Sequence, residues 1–455
     1  MLHAPPYVPP VPTPPDAPLG FGAFLRTIRG NAIGMWPRAA YEQPAFEQRF
    51  LLHRFVLLNA PDAIHRVLID NAENYRRSPA SVRILRPITG QGLLLSEGAD
   101  WRLQRRTTAP ALAPRVIPLL CRHIAACADT GVARLAALAK TGPVDMLAET
   151  QLLALDIAAR SMFSLEATRF GAAMRAQLEE FARHYAQPRL FDLLLPASIR
   201  SPRDFGRARF QRRWLGMIDA ILDARLAEPE AAEPRDLLDL LRGARDPETG
   251  AGFDRARLRD QVATLIVAGH ETTAVTLFWS LVLLARAPAE QARIAAEVAG
   301  RDLGPDAAGT ALAQLPVTRA VVSESLRLYP PAFTIARQTI SNDRVGDQTI
   351  AAGGVVLIAP WVLHRHRALW EHPDAFDPER FMPGAPTPAR FAYMPFGAGP
   401  RVCVGAQFAL AEAVLVLARL VQAFRIDLPN PRPVLPAAVV TTQPDHRPGF
   451  VLTPR

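Results

Sequence analysis

Phe396-Gly-Ala-Gly-Pro-Arg-Val-Cys-Val-Gly405 sets one cysteine in a glycine-rich loop, just ahead of an apolar stretch from Ala406 to Phe424 that reads as a helix. A cysteine without context is most often a small, inert, buried side chain, and Cys121 and Cys127 are read that way, as helix-packing residues. The neighbours of Cys403 argue for something else. Gly399 and Gly405 remove side chains where the backbone must turn tightly and where a flat ligand must approach closely; Phe396 can shield the sulfur from water, and Arg401 can pair with a carboxylate. A thiolate at a helix start is also favoured by the free N–H groups and the helix dipole.

A sulfur for iron, glycine for a flat ring and arginine for a propionate are together what a haem would use. The loop matches the pattern FxxGxRxCxG throughout, and it resembles the haem-binding signature of the cytochrome P450 superfamily. The resemblance implies a mainly α-helical fold with a smaller β-rich part, haem lying between a long central helix and the helix after the cysteine loop. It implies haem b (iron protoporphyrin IX) as cofactor, Cys403 as the metal ligand, and Pro395, Phe396, Gly397, Arg401, Gly405 and Ala406 as its surroundings.

Further motifs follow in family order. Trp101-Arg-Leu-Gln-Arg105 is similar to the W-x-x-x-R whose indole and guanidinium reach a haem propionate from one helix face, and Arg337 occupies the position of another propionate-binding arginine. Ala268-Gly-His-Glu-Thr-Thr273 lies mid-way along a helix expected from about Arg255 to Arg286, ~48 Å long at 1.5 Å per residue. It resembles the oxygen-activation motif, which makes Glu271 and Thr272 the catalytic pair and places Ala268, Gly269, Thr272 and Thr273 at the haem. Gly269 inside a helix costs roughly 1 kcal/mol relative to alanine, and close packing over a porphyrin would account for it. Glu324-Ser-Leu-Arg327 and Pro378-Glu-Arg-Phe381 resemble the paired motifs that join Glu324, Arg327 and Arg380 in a buried structural network. Leu93, Leu94 and Pro331 are expected along the haem and the substrate, with Ala332 and Phe333 beside them, and the helices near residues 170 to 215 complete the pocket wall.

The rest of the chain is consistent with this reading. At 455 residues, 49% hydrophobic and 21% charged, it is neither a disordered chain nor a membrane bundle. The net charge of +9 is carried almost wholly by arginine, and no compact basic block points to nucleic acid. Three cysteines without a CxxC pair suit a reducing cytoplasm. Residues 1–25 read as a proline-rich arm with no signal or transit peptide, and the longest apolar tract, Val262 to Ala285, is interrupted by His270 and Glu271, so no membrane anchor is expected. Without a long linker, residues 1–455 read as one domain. Short strands are expected at Arg49 to Asn59 and Gly353 to Pro360.

Other patterns are set aside. His270-Glu271 lacks the second zinc-protease histidine, because Ala274 stands there. His364, His366 and His372 read as a loop surface. A thiolate pushes electron density toward iron and favours O–O cleavage, so the expected activity is insertion of one oxygen atom from O2 into a lipophilic small molecule such as a terpenoid or fatty acid. A haem-thiolate peroxygenase or isomerase would not need Glu271 and Thr272, and a haem sensor is the non-catalytic alternative. Electrons are expected from a separate ferredoxin or flavodoxin, with Arg102 and Arg106 as solvent-facing docking charges, and the protein is expected to be a cytoplasmic monomer.

Overall fold

Asp254 accepts the Arg257 N–H at 2.8 Å and so starts the helix Arg255–Arg286, which Ala287 and Pro288 end. Its bounds are those expected from the sequence. The second half, from Thr273 to Leu284, is buried on every face, and helices Ile117–Ala139, Met146–Phe163, Pro316–Leu328 and Ala406–Ala423 pack around it in one apolar core. Its first half meets Gly171–His184 and Pro202–Leu226 in a second apolar cluster. In this computed structural model residues 6–50, 53–164, 171–189, 192, 199–229 and 232–455 are described, so part of the pocket wall expected between 170 and 215 lies outside the described residues.

A five-stranded sheet stands to one side. Its strands are β1 (Ala45–Phe50), β2 (His53–Leu58), β3 (Tyr75–Arg77), β4 (Ile335–Thr339) and β5 (Val355–Ile358), in the order β1-β2-β5-β4-β3. Only β2 and β5 pair in parallel. The first strand begins four residues earlier than expected, at Ala45, and the Gly353–Pro360 strand is confined to its centre because Pro360 opens a helical turn. Near the C-terminus, β6 (Pro436–Ala438) and β7 (Thr442–Pro444) form a hairpin.

Two expectations are corrected here. The proline-rich arm ends at Gly20, since Phe21–Gly30 is a helix that buries Phe24. His364 and His366 are buried and only His372 is exposed. The His364 ring bonds the Arg327 carbonyl through Nδ1 and accepts the Met394 N–H at Nε2, both at 3.0 Å. Gly98–Ala139, Arg255–Arg286 and Ala406–Ala423 are long and apolar enough to cross a membrane, but half or more of the most apolar stretch in each is buried within this fold.

Candidate active site

The cysteine loop turns at Gly397 and Gly399, with φ of 74° and 72°. At Gly399 a Cβ would also overlap the Leu68 carbonyl oxygen, so conformation and space both demand glycine. The Cys403 N–H donates to the Phe396 carbonyl at 2.9 Å, which closes the loop back on Phe396 just before helix Ala406–Ala423. Cys403 is exposed, yet burial by the surrounding protein pushes its thiol pKa up, opposed by the Gly405 N–H and by Arg105. Local exposure within dense surroundings means that the sulfur faces an internal space. Gly405 has an ordinary φ of −91°, so no turn requires it; a Cβ there would meet nothing.

On the central helix, Ala268 is exposed although the core encloses the residues beyond it, and a Cβ on Gly269 would meet nothing. Thr272 lies one turn on and donates its hydroxyl to the Ala268 carbonyl at 2.6 Å. Thr273 points away from this face, toward Glu412, at 3.4 Å. Glu271 turns to the C-terminal hairpin, where Thr441 Oγ1 and Gln443 Nε2 each donate to its Oε1 at 2.8 Å. His270 is half-buried, and its loss of hydration pulls its pKa down to about 4.

The loop with Leu93 and Leu94 is docked on the same helix. Asp260 accepts the Gln91 N–H at 2.8 Å, Gln261 accepts the Leu93 N–H at 3.3 Å, and a Cβ on Gly92 would overlap Thr264. Leu93, Pro331 and Phe333 are buried, whereas Ala332 between the last two is exposed.

Arginines gather at the edge. Trp101 lies under the Arg401 guanidinium at 4.5 Å, and Arg105 donates to the Val402 carbonyl at 2.8 Å beside Cys403. Arg337 on β4 faces Arg77 on β3 in register. Burial, then repulsion from neighbouring guanidiniums, brings Arg77 down to about 9 and Arg337 to about 10, and burial lowers Arg401 as well. Glu97 is the acid that meets this group: it pairs with Arg401 and accepts the Arg77 N–H at 3.0 Å. Arg401, expected to be free for a propionate, is therefore bound to Glu97 and to the Ser96 carbonyl. Arg77 escaped the sequence reading because Arg76-Arg77 lies in no motif; β-strand alternation next to Arg337 is the signal that would have found it.

Arg106, expected to face solvent, is committed within the protein: it makes two bonds to Asp246, at 2.7 and 3.1 Å, and reaches Glu248 at 3.1 Å. Arg102 pairs with exposed Glu73 at 2.7 Å. Behind the site, Glu324 and Arg327 are fully buried and joined by two bonds of 2.7 Å, and Arg327 also donates to the carbonyls of His364, Pro373 and Ala375. Arg380 approaches Glu324 at 3.7 Å.

An inward-facing cysteine at a helix start, an open small-residue face on the central helix and three guanidiniums, one buried and two half-buried, against one carboxylate fit a haem bound through sulfur, with its acidic substituents among the arginines. The family comparison agrees: the Cytochrome P450 family model matches residues 12–448. The chain belongs to the cytochrome P450 family, a class of haem-thiolate, oxygen-incorporating oxidoreductases, and is a monooxygenase. It is 33% identical to cyclooctatin synthase of Streptomyces melanosporofaciens, covering 80% of this chain and 79% of that protein. To cyclooctat-9-en-7-ol 5-monooxygenase of the same organism it is 31% identical over 91% of both chains. The crystal structure of the cytochrome P450DA haem domain matches the fold with a TM-score of 0.81 at 24% identity, over 98% of both chains.

Proposed function

We propose that this protein hydroxylates or epoxidises a lipophilic, terpenoid-like small molecule, working as one soluble cytoplasmic domain and as a monomer with a separate ferredoxin- or flavodoxin-type donor. The single observation that carries the reading is Cys403, set at the start of helix Ala406–Ala423 with its sulfur exposed although the surrounding protein is dense. When bound, haem b supplies the redox chemistry by which one atom of O2 enters the substrate and the other leaves as water, consuming two electrons and two protons.

The chain's own residues do the rest. Cys403 binds the iron as thiolate, supported by the Gly405 N–H and Arg105. Trp101, Arg105, Arg337 and Arg77 would hold the propionates, with Arg401 joining them where Glu97 releases it; Pro395, Phe396, Gly397 and Ala406 would shape the sulfur side, while Leu93, Leu94, Pro331, Ala268 and Gly269 would line the rest, and Thr273, turned to Glu412, would not. Thr272 orients a water by its hydroxyl, and Glu271 passes protons toward it. A terpenoid substrate is supported by the apolar character of Leu93, Leu94, Pro331, Ala332 and Phe333 and by the unsaturated alcohol in the name of one relative.

The test is spectral. Reduced, carbon monoxide-treated holoprotein is expected to show the thiolate-type band, and Cys403→Ser is expected to fold but lose it, because a serine oxygen is a harder and less donating ligand. An unchanged band in Cys403→Ser would remove the cysteine from the site. Binding spectra over terpenes, steroids and fatty acids then select the substrate class; a response to polar compounds alone would overturn the terpenoid assignment.

A further inference from the structure

Glu271 is read above as a proton-passing acid beside Thr272, but its carboxylate is held elsewhere. Both of its hydrogen bonds fall on Oε1, from Thr441 Oγ1 and Gln443 Nε2, each at 2.8 Å, and Gln443 Nε2 also reaches Thr441 Oγ1 at 3.2 Å. Oε2 carries no such bond among the described residues, so it is the oxygen left to take and give a proton.

The donors belong to the β6–β7 hairpin, which is tied to the site in other ways. Thr442, between them, donates its N–H to the Pro331 carbonyl at 3.2 Å and its hydroxyl to the Pro330 carbonyl at 2.6 Å. Its carbonyl accepts the indole N–H of Trp279, two turns beyond Glu271 on the same helix, at 2.7 Å. At the tip, Val440 packs on the apolar cluster that includes Val262 and Ile266 of the central helix. One short hairpin therefore touches the acid, the Pro330–Pro331 turn and the apolar cluster.

We propose that Thr441 and Gln443 are positioning residues that set where the Glu271 carboxylate stands on the proton path. The inference rests on Glu271 acting as the acid. Two donors on one oxygen fix the carboxylate's rotation, and charge-assisted bonds of this kind are roughly twice as strong as neutral ones.

The experiment uses holoprotein with Thr441→Val, Thr441→Ser and Gln443→Met, each alone and combined with Glu271→Gln. Haem content, the reduced carbon monoxide band and substrate dissociation constant are read first, then the peroxide share of the oxygen consumed and the solvent deuterium isotope effect on turnover. Thr441→Val and Gln443→Met are expected to keep the spectra and substrate affinity, lower coupled product formation by roughly 10-fold and change the isotope effect. Thr441→Ser restores both, and Glu271→Gln adds nothing further to Thr441→Val. If Glu271→Gln alone leaves coupling and isotope effect unchanged, the acid role itself falls and this inference with it. If Glu271→Gln changes them while Thr441→Val and Gln443→Met do not, the acid role stands and the positioning role is overturned. Should Thr441→Val lose the haem band while Gln443→Met keeps it, Gln443→Met decides between these outcomes, because it removes a donor to the same oxygen.

Discussion

Arg77 and Arg337 face each other across paired strands; burial first lowers the proton affinity of both, then the Arg337 charge lowers Arg77 and the Arg401 charge lowers Arg337. Such a pair is unfavourable until an anion joins it. Arg77→Leu is therefore expected to leave the haem-free protein at least as stable, while haem leaves the holoprotein roughly 10-fold faster, the equivalent of one charge-assisted hydrogen bond of ~1.5 kcal/mol. Haem transfer to an acceptor globin measures this; equal transfer rates would take Arg77 out of the site. His364 makes a different kind of prediction. Burial first, and the nearby Arg327 charge, pull its pKa down to about 3. Its bonds explain the sense of the shift: a ring that accepts the Met394 N–H has no place for a second proton. Because the folded value lies below the unfolded ~6.5, this contribution is fully present above pH 6.5 and is lost as pH falls toward 3, with ~2 kcal/mol gone at pH 5. Urea unfolding at pH 7 and pH 5 should show that loss reduced in His364→Asn, and an identical pH slope in the variant would refute it.

At the scale of elements, the i, i+3 spacing of Glu324 and Arg327 on helix Pro316–Leu328 was readable, and their adjacency follows from helix geometry alone. The carbonyls of His364, Pro373 and Ala375 that accept from Arg327 come from a segment some forty residues away, and spacing does not name them. They turn a pair of modest worth into the anchor of the loop that leads to Cys403. Arg327→Met is expected to lower stability by ~3–5 kcal/mol, because it strands the Glu324 carboxylate and three carbonyls in the core. Denaturant titration of the haem-free protein checks the sign, and a loss below ~1 kcal/mol would mean that the network relaxes around the gap. The loop of Leu93 and Leu94 was expected near the haem; that Asp260, Gln261 and Thr264 clamp it to the central helix follows only from packing.

For the molecule as a whole, the net charge of +9 favours an acidic electron donor. Arg106 is unsuited to the docking role expected of it, since its charge is spent on Asp246 and Glu248, and a glutamate there would face two acids. For the proposed ferredoxin donor, reduction should slow severalfold as salt shortens the Debye length from ~10 Å at 0.1 M to ~3 Å at 1 M, while reduction by dithionite should not. Stopped-flow rates at two ionic strengths decide it, and a salt-independent ferredoxin rate would rule out electrostatic steering.

The glycine-rich cysteine loop, the bounds of helix Arg255–Arg286 and the Glu324–Arg327 pair were legible without the fold, because each depends on helix periodicity and on residue chemistry within a few positions. Only the tertiary structure decided what each charged or polar group meets. Glu97 reaches Arg401, Thr441 and Gln443 reach Glu271, Arg77 meets Arg337, and His364 lies in the core. Those partners are tens to hundreds of residues apart, and burial, which sets whether a charge must find a partner, is a property of the packed chain.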